Sequence, residues 1–182
     1  MGRIVISENV SLDGLGAGER LFEWVGQIKG EAASVLLDEA LGTEALLLGR
    51  RSYEFFAARW PSRNGEYADR LNSMPKYVVS STLERPGWNN VTVLKGDVVN
   101  EVSKLKQELT GEIVVYASRQ LVHTLMEHDL VDELRLMVYP FVLGAGERLF
   151  GETSDKKSIR PLHARTVGDS LVYLTYEVVR DA

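Results

Sequence analysis

The chain has 182 residues, 45% of them apolar, and a formal net charge of −5. That length buries one sizeable core and is short for two ordinary domains, so residues 1–182 are read as a single domain. The acidic balance offers no broad positive field to a polyanion, which argues against a nucleic-acid partner; the lack of any cysteine excludes disulfides, thiolate zinc sites and a cysteine nucleophile and fits a reducing, cytoplasmic address.

In chain order, Arg3 to Val10 is rich in β-branched residues and predicts a strand, with Ser11-Leu12-Asp13-Gly14 as the loop after it. Glu8 interrupts the apolar run too early for a signal-peptide core or a membrane span, so no membrane partner is expected. Helical spacing predicts helices over Glu19 to Ile28 and Glu31 to Leu41. Ala45 to Leu48, closed by Gly49, has the unbroken apolar character of a strand covered on both faces. Arg50 to Trp60 and Gly65 to Met74 are expected to be helical, each stopped by a proline. Strands follow at Tyr77 to Ser80 and Val91 to Leu94, then a helix over Val98 to Leu109 with Asp97 as its N-cap. Ile113 to Tyr116 is another buried strand, feeding a helix over Ser118 to His128. A strand over Glu133 to Leu143 and a closing hairpin, Ser158 to Thr166 and Leu171 to Arg180 joined at Gly168-Asp169, complete the chain.

Strands alternating with helices and ending in consecutive strands predict a three-layer α/β/α sandwich. Its central sheet is mixed, mostly parallel, with antiparallel edges. The octapeptide Leu15 to Phe22 recurs letter for letter as Leu143 to Phe150. The flanks differ and the spacing is too long for two repeat units, so no duplicated architecture is expected. Neither copy has the third glycine of a dinucleotide fingerprint.

Three junctions carry chemistry. Gly49-Arg50-Arg51-Ser52 joins a buried strand to a helix and sets backbone N–H groups, two guanidinium groups and a hydroxyl where an oxyanion is stabilised; a solvated basic turn is the alternative. Ser80-Ser81-Thr82 places three hydroxyls at a strand end, suited to a ribose or 2′-phosphate or to turn chemistry. Ala117-Ser118-Arg119-Gln120-Leu121 is a second strand-to-helix junction able to seat a pyrophosphate. His123, His128 and His163 lack metal-ligand spacing, so no metal site is expected.

With Ser11 to Gly14, Gly49 to Glu54, Val78 to Thr82, Leu130 to Leu134 and Pro140 to Gly146, these segments make nearly the whole chain resemble the dihydrofolate-reductase-like family. The nearest branch is the one that includes the RibD C-terminal domain, the reductase domain of riboflavin biosynthesis. The resemblance implies that Gly49, Arg50, Arg51, Ser52, Ser80, Ser81 and Thr82 hold NADPH phosphates, with Arg50 on the 2′-phosphate. It implies a cofactor contact at Ala117, Ser118, Arg119, Gln120 and Leu121, where the family's glycine-rich turn is replaced by Ala117-Ser118-Arg119. It points to Asp13 as the catalytic or substrate-binding polar group, and to Gly144 and Gly146 beside the substrate; Asp13 also reads as an Asx-turn residue. Trp60, Tyr53 and Trp24 are candidates for an aromatic pocket or for core, with Trp60 assigned to substrate.

The implied function is an NADPH-dependent reductase of a small heterocycle, resembling 5-amino-6-(5-phosphoribosylamino)uracil reductase or dihydrofolate reductase, and a homodimer. The alternative is a non-catalytic ligand-binding or scaffold protein with a degraded cofactor groove. Without cysteine, the zinc-deaminase chemistry of some relatives is not expected.

Overall fold

Strand β1 (Arg3–Ser11) is followed by α1 (Glu31–Gly42), β2 (Thr43–Gly49), α2 (Arg50–Ala57), α3 (Glu66–Ser73), β3 (Lys76–Val79), β4 (Val91–Leu94), α4 (Val98–Glu108), β5 (Glu112–Tyr116), α5 (Arg119–Glu127), β6 (Glu133–Tyr139), β7 (Ser158–Val167) and β8 (Leu171–Val179) in the computed structural model. The structure describes residues 1–16, 24 and 28–180; the helix expected from Glu19 to Ile28 falls largely outside them.

The eight strands form one sheet in the order β4-β3-β2-β5-β1-β6-β8-β7. Pairing is parallel from β4 through β6 and antiparallel for β6-β8 and β8-β7. Apolar side chains leave both faces of the central strands. Ile4, Ile6, Leu47, Ile113 and Val115 pack against α4 and α5 through Val102, Leu105, Leu121, Val122 and Leu125. On the other face Val5, Leu46, Leu48 and Val114 pack against Ala40 of α1, Tyr53 of α2 and Leu71 of α3. The result is the expected three-layer sandwich.

The structure corrects the sequence reading in three places. Only one edge is antiparallel, because the eleven-residue stretch 80–90 is long enough to cross over and return β4 parallel to β3. The helix expected to reach Trp60 ends at Ala57, where Arg59 N and Trp60 N both bond to the Phe56 carbonyl ahead of Pro61. The strand expected to reach Leu143 ends at Tyr139, because Pro140 cannot donate to the ladder. Asp97 caps α4 as read, its carboxylate accepting from Asn100 N at 3.0 Å.

The repeated octapeptide has a structural counterpart. Its 128-residue offset is also the register offset between β1 and β6, in which Val5 faces Glu133 and Ser11 faces Tyr139. Leu15 and Leu143, the first residues of the two copies, therefore follow the ends of adjacent parallel strands by the same four positions. The described part of the first copy, Leu15-Gly16, pairs antiparallel with Glu147 to Leu149 of the second.

Candidate active site

The carboxyl ends of β2 and β5 lie side by side, and each feeds a helix whose first turn has no side-chain cap. The two junctions are tied together. Gly49 N donates to Ser118 Oγ at 2.9 Å, and Ser118 N donates to Ser52 Oγ at 2.9 Å. Ala117 and Ser118 both adopt left-handed backbone, with φ of 50° and 58°. Where the resemblance leads one to expect glycine, an alanine and a serine hold a glycine-like conformation, at a cost of about 1–2 kcal/mol each.

Around these junctions the residues read from the sequence take distinct places. Arg50 pairs with Glu54 at 2.9 Å and with the Thr82 hydroxyl, which brings the first two junctions into contact. Arg51, Ser81 and Thr82 are exposed. Ser80 is buried, and its Oγ accepts from Thr82 N and Leu83 N, the turn chemistry foreseen as its alternative. Arg119 pairs with Glu147 of the second octapeptide copy at 3.2 Å, Gln120 is exposed, and Leu121 is core.

Beside the junctions opens a cavity of about 370 Å³. Its wall is aromatic, made by Phe55, Phe56, Trp60, Tyr67, Trp88 and Tyr116, with Arg59 and Arg63 also lining it. Arg59 stacks over Phe55 at 3.4 Å and Arg63 over Trp60 at 4.8 Å. Its polar groups are Ser7, Glu8, Asn9 and Glu39. Glu39 Oε1 accepts from Ser7 Oγ at 2.7 Å and Tyr116 Oη at 3.0 Å, and Arg135 lies 3.3 Å from Oε2. Burial nevertheless raises the Glu39 carboxyl above its ordinary value, outweighing these bonds. Glu8 is held well above the usual carboxylate range by burial; the Ala117 backbone N–H opposes that rise and the Glu39 charge adds to it.

Trp60 lines the cavity, whereas Asp13, Gly144 and Gly146 do not. Asp13 clasps two loops, accepting from Ser11 Oγ at 2.6 Å, Leu143 N at 3.1 Å and Gly144 N at 2.9 Å. Those bonds, led by the Ser11 hydroxyl, hold its carboxyl down at about 2. Tyr53 is core, its hydroxyl accepting from Gly87 N; Trp24 is exposed and stacks edge-on against Phe141. Among the described residues no group of three or more acidic or histidine side chains can hold a metal ion. The sequence reading missed Glu8 and Glu39 as site residues. The available signals were a carboxylate inside an apolar strand and one placed three and four residues after the apolar Leu36 and Val35.

Strand order and layering define the dihydrofolate-reductase-like fold. Dihydrofolate reductase from Enterococcus faecalis, complexed with NADP(H), matches over 97% of this chain and 96% of its own, with a TM-score of 0.61 and 15% identity. A Shewanella sp. PV-4 protein named for riboflavin biosynthesis matches over 98% and 99%, with a TM-score of 0.78 and 24% identity. The RibD C-terminal domain family matches residues 3–173, and the chain belongs to that family. Bacillus subtilis YyaP, an uncharacterised protein, is 26% identical over 96% of this chain and 94% of its own. The Thermotoga maritima deaminase and 5-amino-6-(5-phosphoribosylamino)uracil reductase matches with a TM-score of 0.69 and 13% identity, and this chain spans 57% of it. No helix among the described residues is long and apolar enough to cross a membrane.

The donor set fits a nicotinamide dinucleotide phosphate. Two uncapped helix N-termini meet at adjacent strand ends, with Arg50 at one and Arg119 at the other, and a buried carboxyl oxygen of Glu8 lacks a partner.

Proposed function

We propose that this protein is an NADPH-dependent reductase of a small, flat heterocycle. The observation that carries the reading is the direct hydrogen-bonded union of two helix N-termini beside an aromatic-walled cavity with carboxyls among its polar groups. NADPH, when bound, supplies a hydride. Gly49 to Ser52 and Arg119 to Leu121 would hold its phosphates through backbone N–H groups and the helix dipoles, and Arg50 would meet the 2′-phosphate. Ser80, Ser81 and Thr82 extend that cradle at the end of β3. Phe55, Phe56, Trp60 and Tyr67 seat a flat ring and exclude water, and Glu39, positioned by Ser7, Tyr116 and Arg135, accepts hydrogen bonds from ring N–H groups. Asp13, with Gly144 and Gly146, acts by fixing the loops rather than by touching substrate.

We carry a cytoplasmic homodimer forward in the same proposal; β7 supports it, being an edge strand exposed along almost its whole length. The test is turnover: the protein is mixed with NADPH and a panel of oxidised pyrimidines and pterins, and loss of NADPH absorbance is followed. Reduction of one class supports the reading. NADPH binding without turnover of any class favours the non-catalytic alternative, to which the non-glycine residues at 117 and 118 give some support.

A further inference from the structure

Glu8 has no task in the reductase reading. It sits in β1, 6% exposed, and lines the cavity. Among the described residues, its Oε1 is the buried side-chain polar atom left without a hydrogen-bond partner. An atom left unmatched in this way keeps its desolvation penalty uncompensated, and an orphan of this kind calls for a bound group that completes it. Its location is specific, because Ala117 lines the same cavity and its backbone N–H is close enough to the carboxyl to oppose the rise that burial causes. The orphan thus lies at the left-handed turn that joins β5 to α5, where the cofactor reading places dinucleotide phosphates.

We propose that Glu8 is a ligand-reading acid: its neutral carboxyl donates a hydrogen bond from Oε1 to an acceptor atom of the bound nicotinamide dinucleotide, and its ionisation expels that ligand. The proposal rests on the NADPH reading and goes beyond it by giving binding a proton requirement. Ionisation would act twice, removing the donor and placing a negative charge beside an anionic ligand.

Of the charged groups that line the same cavity, Arg59 and Arg63 are cations held over the Phe55 and Trp60 rings, and Glu39 is the anion. Glu39 of α1 faces Glu8 and raises it further. The cation of β6, Arg135, is held among Glu39, Glu112 and Glu133, and Arg119 at the start of α5 is paired with Glu147. Tyr116 of β5 directs its hydroxyl to Glu39. None of these cations is paired with Glu8.

The experiment is calorimetric binding of NADPH to the full chain from about pH 5.5 to about pH 10, for wild type, Glu8→Gln and Glu8→Leu. Wild-type affinity should fall by up to about tenfold per pH unit once the pH passes the Glu8 value, the slope of a single coupled proton. Glu8→Gln keeps a donor and cannot ionise, so it should bind within a few-fold of low-pH wild type and lose that slope. Glu8→Leu should bind about tenfold or more weakly, without the slope. A flat wild-type profile, or the same slope in wild type and Glu8→Gln, overturns the proposal, and the wild-type profile alone decides if a variant fails to fold. Absence of NADPH binding at every pH overturns the reductase reading as well; binding without slope overturns only the role of Glu8.

Discussion

Arg50 is the residue on which cofactor choice turns. Its guanidinium is oriented by Glu54 and Thr82, so little side-chain freedom remains to be lost when an anion arrives. A charge-assisted hydrogen bond contributes about 1.5–3 kcal/mol, and Arg50→Ala should weaken NADPH by roughly 10- to 100-fold while changing NADH far less; equal losses in paired titrations would refute the assignment. Asp13 makes a different prediction. Because its bonds hold loop to loop, Asp13→Ala should speed hydrogen exchange at the Leu143 and Gly144 amides, and unchanged exchange would refute the clasp. Lys76 is fully buried and donates from Nζ to the carbonyls of Asn72, Met74 and Asn89, over the Trp88 ring. Replacing it with Met leaves three acceptors unmatched, and chemical denaturation should show a loss of about 2–4 kcal/mol. Arg50 was legible because a basic residue after a strand-ending glycine has a local meaning. Glu8 was not, because the cavity wall it shares with Ala117 is built from residues more than a hundred positions apart.

At the level of elements, the β5-α5 turn stores the clearest strain. Ala117 bears a Cβ at a φ of 50°, so Ala117→Gly should stabilise the fold by about 1 kcal/mol, less the added freedom of glycine in the unfolded chain. A lower melting temperature for this variant would show that the turn is not strained. Helix α4 and its Asp97 cap were readable because capping is a local contest for backbone N–H groups. Strand β1 was readable as a strand, but its carboxyl-end side chains could not be assigned to faces. Ile4, Val5 and Ile6 are all fully buried, and a strand covered on both sides loses the alternation that separates a core position from a site position. Glu39 was hidden for a related reason: it lies on the apolar side of α1, and its bonds to Ser7, Tyr116 and Arg135 cross three strands.

For the whole molecule, the alternation of strands and helices was enough to predict a sandwich and not enough to predict its edges, since strand order depends on crossovers that a sequence shows only as length. The buried ionisable groups give the fold a signed pH response. Glu8, raised in the folded state, contributes stability that is full below the ordinary carboxylate range and lost as pH rises through its raised value. Lys76 acts in the opposite sense: burial lowers it to about 8, so its contribution rises with pH between there and its ordinary value. The difference in unfolding free energy between wild type and Glu8→Gln isolates the first effect, and should shift against wild type as pH rises; a difference constant with pH would contradict it. The central claim is that the joined N-termini of α2 and α5 form an NADPH cradle. Calorimetric titration of the purified protein with NADPH and, separately, NADH tests it most directly. Saturable binding with a preference of at least about tenfold for NADPH is the predicted result, and no binding of either nucleotide, or equal binding of both, would contradict it.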